Sequence, residues 1–260
     1  MNTIWALAGV VIKELYRRKD FYVLFVLTAL ITIATGMVNF FHDPKIVRYV
    51  KDICLLLIWV SGLLIAIITT ARQIPAERES RTIFPLLAKP VTRWQVIVGK
   101  FLGCWLATGI ALLVFYLFFA VITGSREQNW PWLSYLQAIW LQWAMLAVVI
   151  ALSLLGSIVT AAPSSTTTIC FIAVASILLV GGHLNTVALH QSQPLQTIFY
   201  TIYFLIPHLE WFDIRDRVIY DWGLVNWWDC VLATLYAAAY TGLFLLLTWL
   251  GFRRKNLNTG

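Results

Sequence analysis

The chain has 260 residues, of which 60% are apolar and 12% charged, with 19 basic against 12 acidic side chains and a net charge of +7. A soluble domain is about 45–50% apolar and about 25% charged, so this composition excludes an ordinary soluble enzyme or binding module. Thirteen Trp, ten Tyr and fifteen Phe supply the aromatic load of a chain that crosses a bilayer.

Residues 2–19 read as an amphipathic helix. Ile4, Leu7, Val11 and Leu15 recur at helical spacing, with Lys13, Arg17 and Arg18 on the other side. Such a helix either lies in the headgroup layer with its apolar stripe down or extends the first span into the cytoplasm. Six stretches then meet the length test of about 20 apolar residues per span: 21–41, 53–71, 101–123, 140–162, 168–188 and 231–252. The first is longer than the roughly 7–15 apolar residues of a signal peptide and has no small-x-small site before His42, so it is expected to stay. With no Gly-, Ser- or Pro-rich linker and no repeat, residues 1–260 are expected to form one transmembrane domain.

Thirteen of the nineteen basic residues fall on one side of a six-span arrangement. They are Lys13, Arg17, Arg18 and Lys19 before the first span, Arg72, Arg78, Arg81, Lys89, Arg93 and Lys100 between spans two and three, and Arg253, Arg254 and Lys255 in the tail. Short basic connections stay cytoplasmic, which places both termini inside. The positive balance thus reads as a topology and lipid-surface signal. Nucleic acid is not an expected partner, because no basic face interleaved with aromatics stands clear of the spans.

The connection between spans two and three, 72–95, is the most charged part of the chain. Pro75 suits the first turn of a helix, Glu77 and Glu79 would sit near the positive end of its dipole, and Glu77 and Arg81 are spaced to pair for about 0.2–0.5 kcal/mol. Pro85 ends that helix near position 83 or 84. After Pro90, Thr92-Arg93-Trp94-Gln95 fits a capping box, so the next helix is expected to start at about Arg93 and run to about Thr123. A short cytoplasmic helix joined rigidly to two spans can carry a push from a soluble partner; the plainer alternative is a topology anchor.

Further along, the external connection 189–229 is too long for a bare turn. Its apolar stretch 195–207 is too short to span, which predicts a re-entrant or interfacial helical pair. Trp130, Trp132, Trp140, Trp143, Trp211, Trp222, Trp227 and Trp228 fit an outer aromatic belt. Cys54, Cys104, Cys170 and Cys230 have no metal-ligand spacing and read as inert thiols. His42, His183, His190 and His208 likewise lack ligand spacing, and no metal site is expected.

Several chemistries are missing. No span carries an ionisable group at mid-depth, although secondary carriers usually keep one despite its cost of roughly 2.5–3.5 kcal/mol. There is no G-x-x-x-x-G-K-[ST], since Trp94 stands where the first Gly would precede Gly99-Lys100, so this chain has no P-loop for ATP. H-E-x-x-H and G-x-S-x-G are absent too, and no catalytic residue or cofactor is assigned. A carrier or channel without an ATPase, or a membrane-embedded enzyme, remains the alternative reading. ATP hydrolysis by a complex, and not by the chain alone, would decide against both.

Glu77-Arg78-Glu79, Thr82, Leu86-Leu87, Pro90-Val91, Arg93 and Gly99-Lys100 together resemble the motif of the ABC-2 type permeases, the transmembrane subunits of type V ABC transporters. Six spans, the amino-terminal helix and the long connection before the last span extend the resemblance to nearly the whole chain. It implies an all-α exporter subunit in a bacterial inner membrane, paired with a second permease copy or a paralogue. Two ATPase subunits would hold ATP and Mg. It also implies a role in coupling to the ATPase for Glu77, Arg78, Glu79, Arg81, Thr82, Leu86, Leu87, Pro90 and Arg93. The chain departs from the pattern at Arg81, where members often have Gly. Residues 206–220, IPHLEWFDIRDRVIY, are similar to the external segment of the branch associated with maturation of copper-containing enzymes. The cargo and its binding residues are not legible.

Overall fold

A computed structural model describes residues 2–17, 26, 30, 44–79, 92–127, 131–160, 162–189 and 193–254. Among them the chain is all-helical, with no strand. In chain order the helices are α1 (Asn2–Arg17), α2 (Pro44–Ala71), α3 (Gln73–Glu79), α4 (Arg93–Glu127), α5 (Trp132–Val159), α6 (Pro163–Leu189), α7 (Leu195–Leu205), α8 (Arg215–Ile219) and α9 (Trp227–Arg254), with a 3-10 turn at Leu209–Phe212 before α8.

Five helical stretches are long and apolar enough to cross a membrane: Lys51–Glu77, Arg93–Val121, Trp132–Val159, Pro163–Gly181 and Trp227–Arg253. The expected first span, 21–41, lies outside the described residues apart from Val26 and Leu30, which are helical. The remaining expected spans coincide with α2, α4, α5, α6 and α9. The helices start ahead of the expected spans, α2 nine residues before position 53 and α5 eight before position 140. Trp132, Trp140 and the intervening Leu and Ile residues continue a helix that starts directly after Pro131. Proline at the amino-terminal flank costs no hydrogen bond, since the first N–H groups of a helix are unpaired anyway. Pro163 opens α6 by the same logic, with residues 160 and 162 before it non-helical.

The bundle is built around α5. Its most apolar window is 72% buried, against 22% for those of α6 and α9, and it packs against α2, α4, α6 and most extensively α9. Ala144, Met145, Leu146, Val148, Val149, Ile150, Ala151 and Leu154 are all buried, so the helix is covered on every side. Polar contacts fix its rotation. Tyr116 of α4 donates through its hydroxyl to Gln142 Oε1 at 2.9 Å. Trp105 and Trp143 stack at 4.3 Å and each donates its indole N–H to the other's backbone carbonyl, at 3.1 and 3.0 Å. Trp143 is therefore an interhelical strut rather than part of the aromatic belt. The belt reading suits Trp132, Trp140, Trp211, Trp222, Trp227 and Trp228, which are all exposed; Trp130 lies outside the described residues.

Helix α1 packs on α4 through its apolar stripe. Leu7, Ala8 and Val11 pack on α4 at Gly99 and Gly103. A Cβ at Gly99 would come within 2.7 Å of Leu7 Cβ, and one at Gly103 within 2.7 Å of Val11 Cβ. The apolar stripe thus seats in a small-residue groove on another helix. Trp5 and Val10 of α1, at 57% and 63% exposure, are left uncovered.

Candidate functional site

The charged segment singled out in the sequence meets three helix ends at one end of the bundle. The capping box forms as its residue types require. Gln95 N–H donates to Thr92 Oγ1 at 3.3 Å, and Thr92 N–H donates to Gln95 Oε1 at 2.9 Å. Helix α4 therefore starts at Arg93.

Arg93 turns towards the last helix. Its Nη1 donates to the carbonyls of Phe252 at 2.7 Å and Arg253 at 3.0 Å, and its guanidinium lies over the Phe252 ring at 5.6 Å. Those carbonyls belong to the last described turn of α9, where the helix dipole favours a cation. Trp94 and Trp249 meet edge to face at 6.5 Å. The start of α4 is thus tied to the end of α9.

On α3, Gln73 and Glu77 are four apart and share a face. Both reach Lys100 of α4: Nζ donates to Glu77 Oε1 at 2.6 Å and to Gln73 Oε1 at 3.3 Å. The Lys100 side chain is 3% exposed and that of Glu77 27%. Glu77 Oε2 is also buried and has no hydrogen bond among the described residues. The spacing-based pairing of Glu77 with Arg81 falls partly outside the described residues, and the described partner of Glu77 is Lys100. Glu79 is exposed. Ile74 and Pro75 are buried, and α3 packs beside α5 and α6.

Of the residues singled out for coupling, the structure thus brings Glu77 into an internal ion pair, gives Arg93 a partner on α9 and leaves Glu79 exposed. Arg78 is helical in backbone, but its side chain lies outside the described residues, as do Arg81, Thr82, Leu86, Leu87 and Pro90. The helix end expected near position 83 is outside them as well. Sequence reasoning used Lys100 as a topology charge and as the close of a motif, and gave it no partner. A cation eight residues into a helix and followed by an apolar run needs a counter-charge nearby, and that signal was present.

The opposite end is closed by residues 207–226. Gln137 of α5 both donates to Val225 O at 2.9 Å and accepts from Val225 N–H at 3.0 Å. Asp213 takes two hydrogen bonds from the Arg215 guanidinium, at 2.8 and 2.6 Å, and that guanidinium lies 4.9 Å from the Trp59 ring centroid. Burial works against the Arg215 charge, but the hydrogen bonds and charge of Asp213, with Asp216 and Asp52, raise its pKa above the usual arginine value. His208 is buried between Tyr203 and Trp211, and its N–H donates to Tyr236 Oη at 2.9 Å. His183 is exposed, and His42 and His190 lie outside the described residues. All four cysteines are buried and none is in a disulfide. Among the described residues no group of three or more His, Cys, Asp or Glu could hold a metal ion. A cavity of about 340 Å³ opens between α4, α5 and α9, lined by Phe101, Trp105, Trp140, Trp143, Thr241 and Leu245 among others.

The arrangement places a charged helix at one mouth of the bundle and joins it to interior helices through ionic and capping contacts. A family model described as ABC-2 family transporter protein matches residues 5–257. No curated protein matches the chain.

Proposed function

The chain belongs to the ABC-2 family of transporter proteins, and from that premise we propose that it is the permease subunit of an ATP-binding cassette exporter. Its ATPase is carried on separate chains, which bind ATP and Mg, and residues 72–95 are their docking segment. Two such ATPase subunits serve a pair of permeases, either two copies of this chain or this chain and a paralogue. The junction end faces the cytoplasm of a bacterial inner membrane, with both termini on that side. The cargo stays unassigned, and the likeness of residues 206–220 to the copper-enzyme branch is not used to choose one.

One observation carries this reading. Within a single turn of α3, Glu77 is directed inward to Lys100 while Glu79 is exposed. A segment of that form offers charge outward to a partner and is held inward by a helix of the bundle. Glu79→Lys tests it, because reversing an exposed charge at a docking surface weakens association while an exposed site tolerates the change in stability within about 0.5 kcal/mol. The variant is expected to insert and fold normally, but to retain less ATPase on purification from native membranes and to show less ATP turnover. Undiminished ATPase retention and turnover would refute the docking assignment. A chain that functions with no ATPase at all would favour the carrier reading instead.

A further inference from the structure

We propose that Lys100 is a positioning residue for coupling: its buried ammonium fixes how α3 sits on α4, so that a displacement of α3 moves α4 rather than bending the chain between α2 and α3. The proposal rests on the coupling reading above.

Seven residues of helix α3, Gln73–Glu79, are described, and its orientation is set by what they touch as well as by the chain that leads into them. Its backbone link to α2 is weak. Arg72 interrupts the helical run, and Pro75 has no N–H to offer the carbonyl of Ala71. Left to that link, α3 would hinge where it leaves α2. Opposing this are the buried side chains of Ile74 and Pro75 and the contact of Gln73 and Glu77 with one ammonium. The apolar contacts resist removal of α3 from the bundle but allow it to roll. Two oxygens four residues apart on one nitrogen fix the roll.

The charge makes this contact specific. A charged side chain that is 3% exposed needs a counter-charge to offset its lost hydration, and Glu77 is the carboxylate that contacts Lys100 among the described residues. Glu77 Oε2 has no other described hydrogen-bond partner, so the carboxylate depends on the same pair. Lys100 also lies beside Gly99, which receives Leu7 of α1. The contact therefore reaches α4 where that helix is already braced by α1 and, through Arg93, by α9. A push on α3 enters a braced helix.

The test has two arms. In the first, the chain alone in lipid nanodiscs carries nitroxides at Glu79→Cys on α3 and Ile110→Cys on α4; the four native cysteines are buried and stay unlabelled. The parent should give one narrow distance. Lys100→Met should broaden it while helix content is kept, as should Glu77→Gln, which preserves shape and removes charge. The exchanged pair Glu77→Lys with Lys100→Glu should narrow it again, since the Gln73 amide can turn its NH₂ towards the new carboxylate. In the second arm Glu79 is retained and the ATPase that co-purifies with the chain is assayed. Lys100→Met should keep the ATPase bound but lower ATP turnover by about tenfold, within the usual range of coupling between sites, and the exchanged pair should restore much of it. An unchanged distance in Lys100→Met, or no recovery in the exchanged pair, overturns the proposal. So does unchanged turnover. If the first arm succeeds and no ATPase accompanies the chain, the positioning role stands and the transporter assignment above is what fails.

Discussion

Glu77 and Glu79 are alike in sequence and opposite in circumstance. Both were legible as acids near the start of a short helix; which one faces inward was not, because a pairing across 23 residues leaves no mark at helical spacing. The difference has a measurable form. Glu77→Ala leaves the Lys100 ammonium without its carboxylate, and breaking a buried pair from one side costs about 3–5 kcal/mol. The lower end suits a glutamate that is 27% exposed. Thermal unfolding in detergent should therefore show a clear loss for Glu77→Ala and almost none for Glu79→Ala; equal losses would mean that the ion pair contributes little. Arg93 was legible as a basic residue at a helix start. Its partner, the carbonyl end of α9, lies 159 residues away and could be found only from the fold.

At the level of helices, the sequence was most readable where a single physical signal sufficed. Apolar length located α2, α4, α5, α6 and α9, and the Thr92–Gln95 box placed the start of α4 because the cap satisfies local N–H groups with local side chains. Helix α1 was less readable. An apolar stripe states that one face is buried and does not say whether lipid or another helix buries it. The clue to its protein contact was Gly99-Lys-Phe-Leu-Gly103, a small-x-x-x-small pattern on α4, where Leu7 and Val11 seat. Gly103→Leu should then displace α1, because its Cβ would come within 2.7 Å of Val11 Cβ and 3.0 Å of Ala8 O. Overpacking of this kind typically costs about 1–3 kcal/mol. Cross-linking of cysteines placed on α1 and α4 should fall in the variant; undiminished cross-linking would show that α1 is held by something else.

For the molecule as a whole, the two ends are fastened by different means. One uses the Glu77–Lys100 pair, the Arg93 cap and the glycine seat. The other uses the two-way bond of Gln137 with Val225, the Asp213–Arg215 fork and the rings around His208. Between them α5 is covered through its middle turns, Ala144–Leu154, and serves as the common wall. The orientation proposed from basic residues puts the first end inside. A membrane-impermeant maleimide applied to intact cells should therefore label Trp222→Cys, in the exposed loop before α9, and should reach Glu79→Cys only after permeabilisation. The reverse pattern would invert the topology and with it the docking assignment.

Helix α4 has 35 residues and no proline within it. At about 1.5 Å per residue it is a rod of roughly 52 Å, well beyond the roughly 30 Å hydrocarbon layer. A stiff rod converts angle into travel: tipping it by about 5° about one tip swings the other through roughly 4–5 Å, nearly the rise of one helical turn. Any torque delivered where Lys100 is gripped is thereby magnified at the far rim without a joint anywhere along the shaft.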